Sequence, residues 1–310
     1  MSASLRCDFH DVINLHYGEW IRAPDLDAVL RASVESTQRV RINMLTERQQ
    51  REIHYHRSHA ESYKRLLNEP FSYDAVSGRT RRWWNASWCM YRFLAGQELT
   101  GKRVLIAGCG FGDDALRLAK LGCEVYAFDL SRESLEIAKA LALRERLHVT
   151  FNEMRAERLD YHPDFFDCVV ARDILHHVDI PLAVAEIVRV SKNSALCVIN
   201  ELYSHSVTDY IRHSRIVEDY LYPRMKNFVY GTDKPYITAD ERKLTETDVR
   251  LISAPIASIQ LKRYFNFLVT RIVPERFDWM SQLDQFMLWM LYPFAHVLVG
   301  RILLVGRISK

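Results

Sequence analysis

The 310-residue sequence is poor in glycine, proline and cysteine, with 11, 9 and 6 residues respectively. So little glycine and proline excludes a fibrous or low-complexity chain, and the sequence contains no repeat. None of the six cysteines forms a C-x-x-C pair. We therefore expect reduced, buried thiols in a cytoplasmic protein, with neither a disulfide framework nor a zinc site.

The sequence also lacks an excess of charge of either sign. Its 42 Lys and Arg residues against 39 Asp and Glu residues give a formal net charge of +3, and the arginines are scattered along the chain. A dedicated nucleic-acid binder normally concentrates basic residues on one surface. No nucleic-acid partner is expected.

Long uninterrupted hydrophobic runs are absent as well. The first 19 residues carry charges and histidine where a secretory signal would be continuously apolar, so no signal peptide is predicted. Residues 286–308 approach the length of a membrane span, but Pro293, Gly300 and Arg301 interrupt them. A helix followed by a buried strand fits this segment better, and peripheral membrane contact is the remaining alternative.

Strand-like and helix-like patterns alternate through the middle of the chain. Five strands are predicted at residues 103–107, 124–128, 148–152, 166–171 and 195–200, with helices at 113–121, 131–144 and 180–190. This alternation predicts a doubly wound, Rossmann-like α/β fold, in which helices cover both faces of a mostly parallel sheet and ligands bind at the carboxyl ends of the strands. Two further strands, at residues 259–272 and 301–308, bring the expected sheet to seven strands.

We expect the chain to be organised in three parts. Residues 1–98 form an N-terminal helical region and candidate lid, residues 99–202 form the Rossmann-like core, and residues 203–310 add an insertion and the last strands of the same domain. The insertion lies between strands five and six and is the expected acceptor pocket. In it, Thr245 followed three residues later by Asp248 predicts a helix start with a variant capping box. One or two helices are expected over residues 277–298.

The sharpest motif is VLIAGCGFG at residues 104–112, where a strand leads through three alternating glycines into a helix. Gly108 permits a tight turn, Gly110 lets a ligand approach the backbone, and Gly112 lets the helix pack near the strand. Asp129 ends the second strand, where a carboxylate accepts hydrogen bonds from ribose hydroxyls. These features predict a nucleoside-binding site. The NAD fingerprint needs a further glycine where this chain has Asp113.

Residues 102–200 resemble the class I S-adenosylmethionine-dependent methyltransferases, particularly the ubiquinone/menaquinone-biosynthesis-like group of small-molecule enzymes. The matching segments are VLIAGCGFG, EVYAFDLS with Asp129 and Ser131, AERL at 156–159, FDCVV at 166–170, ILHHV at 174–178 and EIVRV at 186–190. The resemblance implies S-adenosyl-L-methionine as cofactor. It also implies methyl transfer to an O, N or C atom of a small, lipophilic or aromatic metabolite.

The resemblance implies cofactor-binding roles for particular residues. The implied set comprises Gly108, Cys109, Gly110 and Gly112 at the methionine portion, Asp129 and Leu130 at the ribose, Ala156 and Glu157 at the adenine, and Ala171 and Arg172 beside the methionine amino group. Two positions depart from the family pattern. Arg155 replaces a frequent aspartate, so adenine recognition would rest on backbone atoms, and residues 192–195 (KNSA) replace the common Lys-Pro-Gly-Gly turn.

Methyl transfer from a sulfonium is an in-line displacement that needs no nucleophile on the protein, but a base would assist a hydroxyl, phenol or acidic carbon acceptor. His176 and His177 follow strand four, and Glu201 follows strand five, at the edge where ligands bind. We name His176 or His177 as the candidate base, as the resemblance also implies, and Glu201 as a residue that orients it or fixes the substrate. Helix capping or packing by one histidine is the alternative.

Aromatic residues and histidines before the glycine motif carry weaker signals. Tyr63 and Trp84 are candidates to cover the donor, since aromatic rings attract a sulfonium, with core packing as the alternative. His54, His56 and His59 have no cysteine or second cluster to support them, so a polar helix face explains their spacing and no metal is expected.

Two other functions stay open. An NAD-dependent oxidoreductase would use the same kind of turn, although the missing glycine and the histidine pair count against it. A noncatalytic nucleoside-binding or partner-binding module would need occluded acceptor space. The sequence leaves the acceptor, and the choice between monomer and homodimer, undecided.

Overall fold

The computed structural model describes residues 47, 49–51, 53, 54, 57, 63–78, 82–230 and 242–310. The chain divides into two units, residues 1–50 and residues 51–310, and the second unit contains the sheet. Most of the predicted N-terminal helical region and lid, including His56 and His59, lies outside the described residues. The described part of that region contains one-turn helices at Lys64–Leu67 and Asp74–Ser77 and helix α1 at Ala86–Ala95.

Seven strands form one sheet in the order β3-β2-β1-β4-β5-β7-β6. The strands are β1 (Arg103–Ala107), β2 (Glu124–Asp129), β3 (Val149–Glu153), β4 (Phe166–Arg172), β5 (Ser191–Leu202), β6 (Ile256–Phe265) and β7 (Arg301–Ile308). Strands β1 to β5 pair in parallel, whereas β7 runs antiparallel to both β5 and β6. The predicted seven-stranded, mostly parallel sheet is confirmed.

Helices occupy three of the four connections between the parallel strands, all but that from β3 to β4, and also the two later connections. The helices are α2 (Asp113–Lys120), α3 (Arg132–Arg144), α4 (Ile180–Val190), α5 (Ser206–Arg212), α6 (Tyr222–Tyr230), α7 (Glu246–Ser253), α8 (Asp278–Met290) and α9 (Ala295–Leu298), with a π-helical turn at Ile216–Leu221. Of the one or two helices expected over residues 277–298, two are present, α8 and α9. No helix in the described ranges is both long and apolar enough to cross a membrane.

Polar side chains determine where several helices begin. Ser131 caps α3 and Asp179 caps α4, each by accepting a backbone N–H from the first helical turn. Thr245 and Asp248 form the reciprocal capping box at the start of α7, as predicted. Because these caps satisfy N–H groups that have no partner inside the helix, they fix the chain at its strand-to-helix turns.

The sheet is buried on both faces. Val104, Leu105, Ile106 and Ala107 are each at most 1% exposed. Leu105 and Ala107 pack in one hydrophobic cluster, and Val104 and Ile106 pack in another, because successive side chains of a strand point to opposite faces. Two covered faces explain why the sequence of β1 is a continuous apolar run.

Two predicted strands, β5 and β6, have wrong bounds. Strand β5 begins at Ser191 rather than at residue 195, because Ser191 pairs with Phe166 across an irregularity in the register. Strand β6 spans Ile256–Phe265 instead of residues 259–272. It ends there because Asn266 adopts a left-handed φ of 64°, which leaves the extended conformation.

The ends of the strands define one functional edge. Strands β1, β2, β4 and β5 end at the same edge of the sheet, which we call the carboxyl edge. Because β5 and β6 both run antiparallel to β7, β6 also ends at this edge, and Leu202 and Phe265 both lie opposite Arg301. Two connections therefore depart from the carboxyl edge. One follows β5 and carries α5 and α6, and the other follows β6 and carries α8 and α9.

Candidate active site

The three glycines between β1 and α2 adopt left-handed backbone conformations. Gly108, Gly110 and Gly112 have φ values of 63°, 49° and 90°. A Cβ atom on Gly108 would lie 2.7 Å from the Ile174 side chain, and one on Gly112 would lie 3.0 Å from Ala138. Around Gly110, no described atom beyond its chain neighbours lies within 4 Å of a Cβ position. Two of the glycines serve packing, and Gly110 faces open space.

The Asp129 carboxylate lies beside that open space. Its Oδ2 accepts the backbone N–H of Gly110 at 2.8 Å, and its Oδ1 accepts the backbone N–H of Ser131 at 2.8 Å. These two backbone hydrogen bonds hold both oxygens of the carboxylate in place. The end of β2 therefore presents a fixed carboxylate to whatever occupies the glycine turn.

Cys109 joins the turn to β2 through its backbone. Its N–H donates to the carbonyl oxygen of Phe128 at 2.9 Å. Burial raises the pKa of the Cys109 thiol well above its usual value. The thiol therefore stays protonated, and Cys109 contributes the shape of the turn without acting as a nucleophile. Leu130, the next predicted residue along β2, is half-buried.

The two predicted aromatic covers differ in position. The ring of Tyr63 lies 4.3 Å, centroid to centroid, from that of Phe111, which is part of the glycine turn. Trp84 instead packs edge-on against Trp83 at 5.8 Å, immediately before α1. The structure thus brings Tyr63 to the turn, whereas the contact it gives Trp84 is with a sequence neighbour.

The segment after β3 runs beside Asp129. The backbone N–H of Met154 donates to the Asp129 carbonyl at 3.2 Å. Ala156 is 3% exposed and packs in the core, and Glu157 accepts the N–H of Asp179 at 3.1 Å. With the Ala156 side chain buried, a nucleoside base at this position would meet mainly backbone atoms.

A buried acidic residue that sequence reasoning missed holds Arg172. Asp114 is 5% exposed and accepts Arg172 Nε at 2.8 Å and the Tyr91 hydroxyl. Burial by itself lowers the pKa of Arg172, but Asp114, Tyr91 and Asp173 together outweigh burial and raise that pKa. The sequence did hold a signal, since Asp113 and Asp114 open the helix after the glycine turn, where the helix dipole favours carboxylates. Ala171, the preceding residue of β4, is buried in the sheet.

Glu201 and His176 form a buried pair at the ends of β5 and β4. His176 Nδ1 lies 2.7 Å from Glu201 Oε2, and both side chains are at most 3% exposed. The other oxygen, Oε1, accepts the backbone N–H groups of Ile174 and Leu175, both at 2.7 Å. An ionised Glu201 favours the imidazole tautomer with the proton on Nδ1, so Nε2 is the nitrogen that can accept a proton.

His177 and Asp173 both lie close to His176. The ring of His177 is half-buried and lies 4.0 Å, centroid to centroid, from the His176 ring. Asp173 pairs with Arg301 at 2.8 Å, and Arg301 also donates to Asn200 Oδ1 at 3.0 Å. Burial by itself raises the pKa of Asp173, but the Arg301 and Arg172 guanidiniums outweigh it and hold that pKa below its usual value.

Asp173, His176 and Glu201 hold potential metal-ligand atoms within 4.8 Å of one another. The Glu201 oxygens, however, already accept two backbone N–H groups and contact the His176 ring. Asp173 pairs with a guanidinium, which competes with a metal ion for its carboxylate. The arrangement therefore fits a proton-handling histidine and carboxylate better than a metal-ligand set.

Sequence comparisons place the central part of the chain among methyltransferases. Residues 105–199 match the family described as a methyltransferase domain. The ubiquinone biosynthesis O-methyltransferase of Paraburkholderia phymatum is 34% identical over 38% of this chain and 56% of its own length. The enzyme of the same name from Paraburkholderia xenovorans is 33% identical over 39% of this chain and 57% of its own length. The chain thus spans little more than half the length of these curated relatives.

A solved structure shares the fold. Magnesium protoporphyrin IX methyltransferase from Synechocystis PCC 6803, solved with bound SAH, aligns with a TM-score of 0.51 over 84% of this chain and 100% of its own. The two sequences are 15% identical, so the likeness concerns the fold alone.

Proposed function

Because residues 105–199 match the methyltransferase domain family and carry the glycine turn and Asp129, we propose that this chain transfers a methyl group from S-adenosyl-L-methionine to a small lipophilic acceptor. The observation that carries the proposal is the open space at Gly110 with the Asp129 carboxylate fixed beside it. A ribose fits there because its hydroxyls donate to a carboxylate at the end of the second strand. Asp113, where an NAD site needs glycine, disfavours the oxidoreductase.

The residues that would hold the cofactor surround the glycine turn. They are Gly108, Cys109, Gly110 and Gly112 in the turn, Asp129 and Leu130 after it, Ala156 and Glu157 after β3, Ala171 and Arg172 at the end of β4, and Tyr63 above the turn. When bound, the cofactor supplies a methyl group that is already activated on a sulfonium. The protein's remaining tasks are to orient the acceptor and to remove its proton.

We assign the removal of the acceptor proton to His176. Glu201 holds the imidazole in one orientation and stabilises the positive charge that the ring gains with the proton. An imidazole base suits a hydroxyl or phenol acceptor, and the Paraburkholderia relatives are named O-methyltransferases. O-methylation is therefore the reaction that this pair supports best. His177, whose ring lies tilted beside that of His176, is a second residue for contact with the acceptor.

The test combines binding with turnover. Purified protein is titrated calorimetrically with S-adenosylmethionine, S-adenosylhomocysteine and NAD, then assayed for S-adenosylhomocysteine release with phenols, catechols and quinols in detergent. His176→Asn keeps a side-chain N–H that can donate to Glu201. We therefore expect this variant to bind the cofactor normally and to lose turnover. If the protein binds NAD but neither S-adenosylmethionine nor S-adenosylhomocysteine, the proposal is overturned. If the variant turns over substrate like wild type, His176 is not the base.

A further inference from the structure

Helix α8 exposes most of its large apolar side chains and buries three of its polar ones. Between 50% and 73% of the residue surface is exposed at Trp279, Leu283, Phe286, Trp289 and Met290. The buried residues of the same helix are Ser281, Asp284, Gln285 and Leu288. A surface helix of a globular protein normally has the opposite distribution, with its apolar stripe against the core.

Hydrogen bonds fix this inverted orientation. The Asp284 carboxylate accepts three consecutive backbone N–H groups, those of residues 267–269, at 2.5 to 3.3 Å. Gln285 Nε2 donates to the carbonyl oxygen of Tyr264 at 3.4 Å. Turning the helix to bury its tryptophans would remove these partners from buried polar groups, which is strongly unfavourable. The outward apolar stripe is therefore built into the fold.

The exposed apolar surface extends beyond α8. The sequence has no Lys, Arg, Asp or Glu between Asp284 and Arg301, and Tyr292 and Phe294 are 77% and 66% exposed. In the insertion after β5, the large apolar side chains that are more than half exposed include Tyr210, Ile211, Ile216, Tyr220 and Phe228. We call the exposed apolar side chains of α8, of residues 291–294 and of residues 210–228 the apolar face.

The two parts of the apolar face adjoin each other. Helix α9, which follows residues 291–294, packs against α5 of the insertion. Arg276, just before α8, donates to the carbonyl oxygen of Phe228 at 3.3 Å. Both parts belong to connections that leave the sheet at its carboxyl edge. They lie on the side of the sheet that carries the glycine turn, Asp129 and His176.

We propose that the apolar face docks on the surface of a lipid bilayer and that the acceptor is a lipophilic molecule taken from that bilayer. Tryptophan and tyrosine, which are prominent in this face, favour the boundary between headgroups and acyl chains. A second copy of the chain on the same face would cover the edge where the acceptor must enter, whereas a bilayer would supply the acceptor there. The docking stands independently, and the source of the acceptor rests on the proposed function.

The α8 part of the apolar face carries few charged residues. This determines how vesicle binding should depend on the charge of the lipid headgroups and on the salt concentration. Insertion of apolar side chains, rather than attraction to anionic headgroups, would supply the binding free energy. We therefore expect the protein to bind vesicles of phosphatidylcholine alone. We also expect binding to persist when high salt screens the surface charges.

Sedimentation with phosphatidylcholine vesicles tests the docking. The double variant Phe286→Ser, Trp289→Ser should partition at least about tenfold more weakly than wild type, because each lost side chain contributes about a factor of ten. Leu143→Ser is the matched control, since Leu143 is 81% exposed at the end of α3 that points away from the carboxyl edge. It should bind vesicles like wild type.

Three results would overturn the docking. Wild-type protein could stay in the supernatant, or the Leu143→Ser control could lose as much vesicle binding as the double variant. The third is that the wild type forms a dimer and the double variant dissociates it without any change in vesicle binding. Light scattering of the same samples measures the dimer. Calorimetry with S-adenosylhomocysteine separates this test from that of the proposed function. If the protein binds the cofactor but not vesicles, only the docking is refuted. If it binds vesicles but not the cofactor, only the methyltransferase is refuted.

Discussion

Glu201 Oε2 lies 2.7 Å from Nδ1 of His176, while Glu201 Oε1 accepts two consecutive backbone N–H groups. Three donors thus hold a carboxylate that is fully buried. Hydrogen bonds to the charged form offset the cost of burying it. The relationship makes Glu201 a positioning residue that acts through His176.

Replacing Glu201 with Gln should lower kcat and leave cofactor affinity unchanged. Gln keeps one oxygen for the two backbone N–H groups, but its NH₂ group then faces His176 Nδ1 and forces the ring proton onto Nε2. Loss of the base should reduce kcat by about 10²- to 10⁴-fold. Steady-state release of S-adenosylhomocysteine, with calorimetry alongside, measures both quantities. If the Glu201→Gln variant has a lower melting temperature but the kcat of wild type, Glu201 has a purely structural role.

Gly110→Ala and Gly112→Ala should have different effects, although both residues have positive φ. A Cβ at position 112 meets Ala138 at 3.0 Å and Leu116 at 3.1 Å, whereas a Cβ at position 110 enters open space. Both changes carry about 1–2 kcal/mol of backbone strain, and only Gly112→Ala adds a packing clash. We expect the larger loss of unfolding free energy in Gly112→Ala.

Cofactor binding should separate the two variants in the opposite direction. Gly110→Ala fills the space proposed for the cofactor, so its loss of S-adenosylhomocysteine affinity should exceed any loss explained by stability. Urea unfolding and calorimetry on both proteins supply the comparison. Unimpaired binding by Gly110→Ala would mean that the cofactor does not approach this backbone.

The Asp173–Arg301 pair should make stability depend on pH. Because the folded-state pKa of Asp173 is lowered, the pair stabilises the protein above the unfolded-state pKa of about 4 and loses its effect as pH falls through the folded value. Asp173→Asn should therefore be less stable than wild type near neutral pH. The two unfolding free energies should converge only as pH falls through the lowered folded-state pKa of Asp173, as urea titrations at increasingly acid pH would measure. A constant difference from neutral to acid pH would assign the effect to something other than this charge.

The Asp284 anchor of α8 should matter far more than an exposed acid on the same helix. Asp284→Ala leaves three backbone N–H groups without their carboxylate and should cost about 2–4 kcal/mol of unfolding free energy. Asp278, whose side chain is 47% exposed and lies 3.6 Å from Arg82, is the control. Its replacement with Ala should cost less than about 1 kcal/mol. Equal losses would contradict the anchoring role.

The sheet and the glycine turn could be predicted because their signals are local. The run at 103–107 and the glycines that follow determine a buried strand, a turn and a helix within about ten residues, and the limits of β7 follow from its apolar pattern. The end of β6 was predicted too late, because the apolar run continues past Asn266 while the backbone turns there. Asn266 is itself a weak signal, because asparagine adopts the left-handed conformation more readily than most residues, but the apolar residues on both sides of it favour a continued strand.

Glu201 could be named as a partner of His176 because both follow or end parallel strands at the carboxyl edge, but two other long-range pairings escaped sequence reasoning for a physical reason. Arg301 meets Asp173 only because β7 inserts antiparallel beside β5, and Asp114 meets Arg172 only because β1 adjoins β4. Periodicity likewise assumes that apolar faces point inward. In α8 the partner of Asp284 is a loop before the helix, so polar contacts decide which face is buried.

Calorimetric titration of S-adenosylhomocysteine into wild type, Asp129→Asn and Asp167→Asn tests the central claim most directly. Asp167 is the control because it also accepts a backbone N–H, from Arg103, and pairs with Lys192, but lies near the start of β4 at the opposite edge. Wild type and Asp167→Asn should bind alike, and Asp129→Asn at least about tenfold more weakly, since a hydrogen-bonded carboxylate is lost. Equal affinity in all three proteins would contradict the placement of the nucleoside at the glycine turn.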